Sequence, residues 1–127
     1  MAIISLSIEK ELLGEIDRLS GKLGMRNRSD AFRIAARAFI AEEKKNEKLS
    51  GQIEGVLLAM HQKGHEDYVT EPKHEFEDIV ITQMHNNMKG GKCLEIFVFR
   101  GDAKKVLKFY DAMQKLGKAE YLKLIVP

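Results

Sequence analysis

The stretch D78-I-V-I-T-Q-M-H-N-N-M-K-G-G-K-C-L-E-I-F-V-F99 decides the fold of the second half of this chain. Apolar and polar residues alternate on both sides of NNMKGGK, the pattern of two strands joined by a tight glycine turn. The hairpin so predicted, DIVITQMH followed by CLEIFVF, sets the reading of its neighbours. Upstream, QIEGVLLAMHQ has the hydrophobicity of a buried strand. TEPKHEFE follows as a short helix, with Thr70 as its cap and Pro72 in the first turn, where a missing N–H costs nothing. Downstream, Asp102 is placed to cap a helix with Val106, Phe109, Tyr110, Met113 and Leu116 inward and Gly117 at its end. YLKLIV then supplies a last strand. The order strand, helix, strand, strand, helix, strand is the ferredoxin-like βαββαβ arrangement, an antiparallel sheet with two helices on one face.

The first half reads differently. IISLSI, residues 3–8, alternates Ile4, Leu6 and Ile8 against Ile3, Ser5 and Ser7, a short strand with one apolar and one small, mostly hydroxylic face. Helical spacing follows in Leu12, Ile16, Leu19 and Leu23, with Ser7 as the expected N-cap and Gly24 as the left-handed stop. A second helix begins at RNRSD, where Asn27 is the expected cap and Asp30 is placed to reach back as in a capping box. Its apolar stripe is Ala31, Phe32, Ala35, Ala38 and Phe39, and it ends before Ser50-Gly51. One strand and two helices in fifty residues cannot close a core, so the strand is expected to pair with its own copy in an intertwined dimer. The chain therefore divides at residues 1–50 and 51–127 into an α+β architecture of two domains.

Charge separates the halves as well. Between Arg18 and Arg37 stand six basic side chains against Asp30, whereas residues 51–127 carry eleven basic and eleven acidic ones. The positive field is local to the N-terminal half. No segment approaches the roughly 20 apolar residues that cross a bilayer, and the start carries no basic leader, so no membrane partner and a cytoplasmic location are expected. The single cysteine, Cys93, excludes an internal disulfide and leaves a buried thiol, a reactive thiol, a ligand or an intermolecular partner. Cys93 with His85 as nucleophile and base would need an orienting group and an oxyanion hole; no motif for either is visible, and no enzyme is expected. His61 and His65, around Gly64, read as surface residues of a loop, and the methionines as packing.

A two-stranded ribbon flanked by arginines has the width of the major groove of double-stranded DNA. On it Ser5 and Ser7 suit base edges and Ile3 a thymine methyl. The start of the second helix at Asn27, Arg28 and Ser29, with Arg33 one turn on, suits phosphate. The alternative for these features is a dimerisation module with a solvated basic face.

The run S-L-S-I, a helix, Gly24, N-R-S-D-A and Arg33 resembles the ribbon-helix-helix DNA-binding module. With a ferredoxin-like domain after it and the string CLEIFVFRGD, the chain is similar over nearly its whole length to the nickel-responsive (NikR) regulators. The resemblance implies a homotetrameric, sequence-specific transcriptional regulator, a repressor, with an ACT-like C-terminal domain that binds metal and assembles the tetramer. The position of the family's ribbon arginine is held here by Ile3, which implies a different or less stringently read operator. The family's metal pattern H-x10-H-x-H-x5-C is matched by His74, His85 and Cys93, with Asn87 in place of the third histidine. His74 would then come from a facing subunit. Loss of one imidazole leaves nickel, zinc or cobalt, or no metal at all, as readings of the site. Water, Asn87 or a side chain such as His61 or His65 stands as the fourth ligand. The alternative function is a regulator that has lost nickel sensing and answers to another ligand through its ACT-like domain, or binds DNA constitutively.

Overall fold

Alternation and glycine placement act first at the turns. The structure, a computed structural model, describes residues 1–65 and 72–127. It divides into two compact units, Met1–Glu47 and Lys48–Pro127.

In the first unit, α1 (Lys10–Lys22) and α2 (Arg28–Glu47) are joined by a turn that Gly24 makes possible at φ 72°. The Met25 N–H donates to the Ser20 carbonyl at 2.9 Å and the Gly24 N–H to Gly21 at 3.2 Å, which satisfies the last carbonyls of α1 in a Schellman arrangement. Asn27 caps α2 as expected, its Oδ1 accepting from the Asp30 N–H at 2.9 Å. Asp30 itself does not reach back: its carboxylate is taken by Arg26 and Arg33. Nor does Ser7 cap α1, whose N-cap is Glu9 without a side-chain bond. Residues 3–8 form no ladder with any of the described residues. The expected strand has no neighbour of its own sequence there, because ladder bonds to an identical segment require a second copy.

The second unit is a four-stranded antiparallel sheet in the order β2-β3-β1-β4, built from β1 (Gln52–Gln62), β2 (Val80–Met88), β3 (Lys92–Asp102) and β4 (Ala119–Ile125). Helix α3 (Ala103–Lys115) follows β3, and residues 72–75 form one helical turn before β2. The Thr70 cap lies outside the described residues. This is the expected βαββαβ architecture. Strand β2 runs on past His85 to Met88, and Gly90 and Gly91, at φ 79° and 72°, turn the chain into β3. Asp102 caps α3 by accepting from the Lys104 N–H at 3.0 Å. The inward face of α3 is Val106, Phe109, Tyr110 and Met113; Leu116, expected inward, is 40% exposed because it lies beyond the last full turn. Phe109 meets Phe76 and Phe97 edge to face, each at 5.2 Å between centroids, an arrangement that adds about 0.5–1.5 kcal/mol per pair to plain burial. Gly55 lets β4 approach β1, since a Cβ there would run into the Ile125 carbonyl and the Phe99 ring.

Candidate functional site

On the N-terminal unit, Ile3, Ser5, Ser7, Arg28, Ser29 and Arg33 are all exposed. The two arginines are held by carboxylates of the same unit. Arg28 spans Asp17 with two hydrogen bonds of 2.9 and 2.8 Å, and Arg33 pairs with Asp30. These bonds hold Asp17 and Asp30 below the usual carboxylate range, through Arg28 for the first and through Arg33 and then Arg26 for the second. Arg28 is correspondingly raised by Asp17. Both guanidinium groups are thereby oriented on the surface around the start of α2.

On the C-terminal unit, strand register assembles the side chains. Asn87 stands opposite Cys93, and Cys93 opposite His61; one step along the sheet, His85 stands opposite Glu95 and Glu95 opposite Ala59. Direct partners, and residues two apart on one strand, share a face. His61, His85, Asn87, Cys93 and Glu95 therefore lie on one face, the face that carries Leu57, Phe97 and Phe99 into the core. The sheet changes along its length from hydrocarbon to imidazole, carboxylate, amide and thiol. Cys93 is buried and its thiol points to Asn87 Oδ1 at 3.8 Å. His85 Nδ1 contacts Glu95 Oε1, His61 Nε2 stands 3.3 Å from the same oxygen, and Gln83 Nε2 donates to Glu95 Oε2 at 3.1 Å.

Of the residues expected as metal ligands, the fold thus brings His85 and Cys93 to one face beside Asn87. His74 stands apart on the helical turn, 76% exposed, with Nδ1 at 3.0 Å from Glu77 Oε1. Among the described residues it joins no group of three possible ligands within the chain.

Of the other members of the face, His61 was named from sequence only as a possible fourth ligand on a surface loop, and Glu95 was missed. His61, expected on the surface, is 0% exposed, and His65 is half-buried. Gly64 did mark a turn, but β1 continues to Gln62, and the alternation Leu57, Ala59, His61 carries the histidine inward. Glu95 was legible by the same rule, being the polar member of the buried series Cys93, Glu95, Phe97, Phe99.

A ribbon-helix-helix unit followed by an ACT-like βαββαβ unit defines a DNA-binding regulator of transcription, not an enzyme. Residues 2–43 match the ribbon-helix-helix proteins of the CopG family, and residues 56–126 match the NikR C-terminal nickel-binding domain. The chain belongs to the NikR family of regulators. It is similar to proteins named "Putative nickel-responsive regulator" from Pyrococcus abyssi, at 34% identity over 96% of this chain and 90% of the relative. A relative of the same name from Methanocaldococcus jannaschii is 32% identical over 97% of this chain and 89% of its own length. In fold alone the chain also resembles the solved structure of an uncharacterized protein of Thermotoga maritima, with a TM-score of 0.55, 10% identity, 60% of this chain and 98% of the other covered.

Proposed function

We propose that this protein is a metal-responsive repressor that binds a double-stranded DNA operator as a homotetramer, its affinity for DNA set by nickel. The reading is carried by one observation: the β2-β3 register sets a buried thiol, Cys93, on the same face as His85, with Asn87 between them. Thiolate and imidazole are ligands that suit nickel, zinc and cobalt. His85 and Cys93 would hold the ion, with His74 supplied by a facing subunit. The bound ion contributes two positive charges and a fixed link between ligands on separate elements, which ties occupancy to quaternary arrangement. The ribbon face of Ile3, Ser5 and Ser7 reads bases, and Asn27, Arg28, Ser29 and Arg33 hold phosphates.

In an operator-binding titration at fixed salt, nickel is expected to raise affinity at least about tenfold, the size of a typical allosteric coupling, and Cys93→Ala to remove that response. Operator affinity indifferent to nickel and to chelator overturns the proposal. A second reading, a regulator that has lost nickel sensing, is favoured by Asn87, whose neutral amide is a poor ligand for a nickel plane. Under that reading Asn87→His creates a nickel response that the natural chain lacks.

A further inference from the structure

The carboxylate of Glu95 is 2% exposed on the core face, and three side chains from separate positions converge on it. We propose that His61 Nε2, His85 Nδ1 and Glu95 Oε1 bind a divalent transition-metal ion inside a single chain, at a site distinct from the thiolate site proposed above. The inference shares His85 with that reading and none of its other ligands, so the two fail separately.

Three observations carry it. First, each of the three residues offers a ligand atom within 4.8 Å of the other two. Ligands about 2.0–2.2 Å from a tetrahedral zinc stand about 3.3–3.6 Å apart. His61 Nε2 and Glu95 Oε1 meet this at 3.3 Å. His85 Nδ1, in direct hydrogen-bond contact with the same oxygen, has to draw back to admit the ion, as its partly exposed side chain allows. Second, the supporting bonds are those of a ligand set. His61 Nδ1 lies 2.8 Å from the Gln62 carbonyl oxygen, which only accepts, so Nδ1 carries the proton and Nε2 is the atom turned toward Glu95. Metal-ligating histidines characteristically donate their second ring N–H to a carbonyl or carboxylate, and ligating carboxylates are themselves hydrogen-bonded, as Glu95 is by Gln83. Third, the set is reachable: His61 and Glu95 are enclosed, but the His85 side chain is 40% exposed and opens the cluster to solvent.

Two imidazoles and a carboxylate, with no sulfur, suit a divalent first-row metal such as zinc, cobalt(II) or iron(II), and leave at least one coordination position for water or a small ligand. The three residues come from β1, β2 and β3 of one chain, so no second subunit is needed.

The test uses the full chain and cobalt(II), read by visible absorption, with zinc binding followed by equilibrium dialysis. A Cys93→Ser, His74→Ala double variant should retain one cobalt ion per chain, with d–d bands and no sulfur-to-cobalt charge transfer. In that background Glu95→Gln, His61→Gln and His85→Gln should each weaken cobalt and zinc binding about a hundredfold or more, the loss of a direct ligand exceeding the 10- to 100-fold of a supporting residue. Circular dichroism monitors folding, and the half-exposed His85→Gln decides the matter if the buried variants unfold. No cobalt binding in the double variant, or unchanged binding after His85→Gln, shows a hydrogen-bonded cluster only and overturns the proposal. Loss of the thiolate band on Cys93→Ser in a chain that has no sulfur-free site would sustain the earlier reading and sink this one. A sulfur-free site in a chain that never shows a thiolate band would do the reverse.

Discussion

The two units of this chain handle the same raw material in opposite ways. In Lys48–Pro127 the alternating strands and the amphipathic helix close on each other, and Leu57, Phe97, Val106, Phe109 and Met113 are buried in one cluster. In Met1–Glu47 the buried residues are Ser20 and Asn46, while Ile4, Leu6, Leu12, Leu19, Leu23, Ile34, Phe39 and Ile40 stand between 41% and 78% exposed. Both halves carry apolar periodicity strong enough to be read from sequence, but it closes into a buried cluster within one chain only in the second. An amphipathic stripe with nothing to cover it marks an element completed by association, and this is the physical basis of the oligomer proposed above.

The contrast can be broken most forcefully in the core. Phe97→Ala removes a ring that packs against Phe109 at 5.2 Å and is expected to cost the C-terminal unit about 3–5 kcal/mol, seen as a lowered denaturation midpoint. A loss under about 1 kcal/mol would mean that the cluster is not the unit's main support. Leu6→Glu should act the other way. Because Leu6 is 58% exposed in the chain, the C-terminal melt should stay put while sedimentation shows loss of the N-terminal dimer and operator binding vanishes. A variant that still dimerises and binds would show the N-terminal unit to be self-sufficient. Asp102→Ala, which removes the cap on Lys104, should cost about 1 kcal/mol, again confined to the C-terminal unit.

The smallest effect is acid sensitivity. Asp17 and Asp30 in the first unit, and Asp78 and Glu120 in the second, are held below the usual carboxylate range by Arg28, by Arg33 with Arg26, by Lys105, and by Lys92 with Gln62. A depressed carboxylate contributes stability that is present above its unfolded value and lost as pH falls through the folded one. Both units should therefore weaken only in acid, below the ordinary carboxylate range, and the effect should shrink in high salt, most for the exposed Asp17, Asp78 and Glu120 and least for the half-buried Asp30. A loss of stability setting in near neutral pH would point to other groups.

Much of the C-terminal fold was legible because its signals are local. Hydrophobicity marked β1, period-two alternation marked the hairpin strands, Gly90 and Gly91 marked the turn, and Asp102 announced α3. Leu116 was misassigned because helical spacing continues past the point where the helix leaves the sheet. In the N-terminal unit the Asn27 cap held, while the expectations for Ser7 and Asp30 failed for a related reason. Ser7 and Asp30 both have capping chemistry, but α1 begins only at Lys10, which puts Glu9 rather than Ser7 in the cap position, and Arg26 and Arg33 compete for Asp30.

The candidate site divides in the same manner. The spacing of His85, Asn87 and Cys93 across a glycine turn was enough to put them on one face, since hairpin geometry is set by a few consecutive residues. His61, from sequence only a possible fourth ligand on a surface loop, was placed by the sheet order, which lays β1 against β3 and sets His61 beside Cys93, a residue far from it along the chain. Periodicity determines which side of a strand a residue occupies. Which strand lies next to it, and so which nitrogen meets which carboxylate, depends on long-range pairing, whose stability comes from packing several strands and α3 together over one core and is written in no single segment.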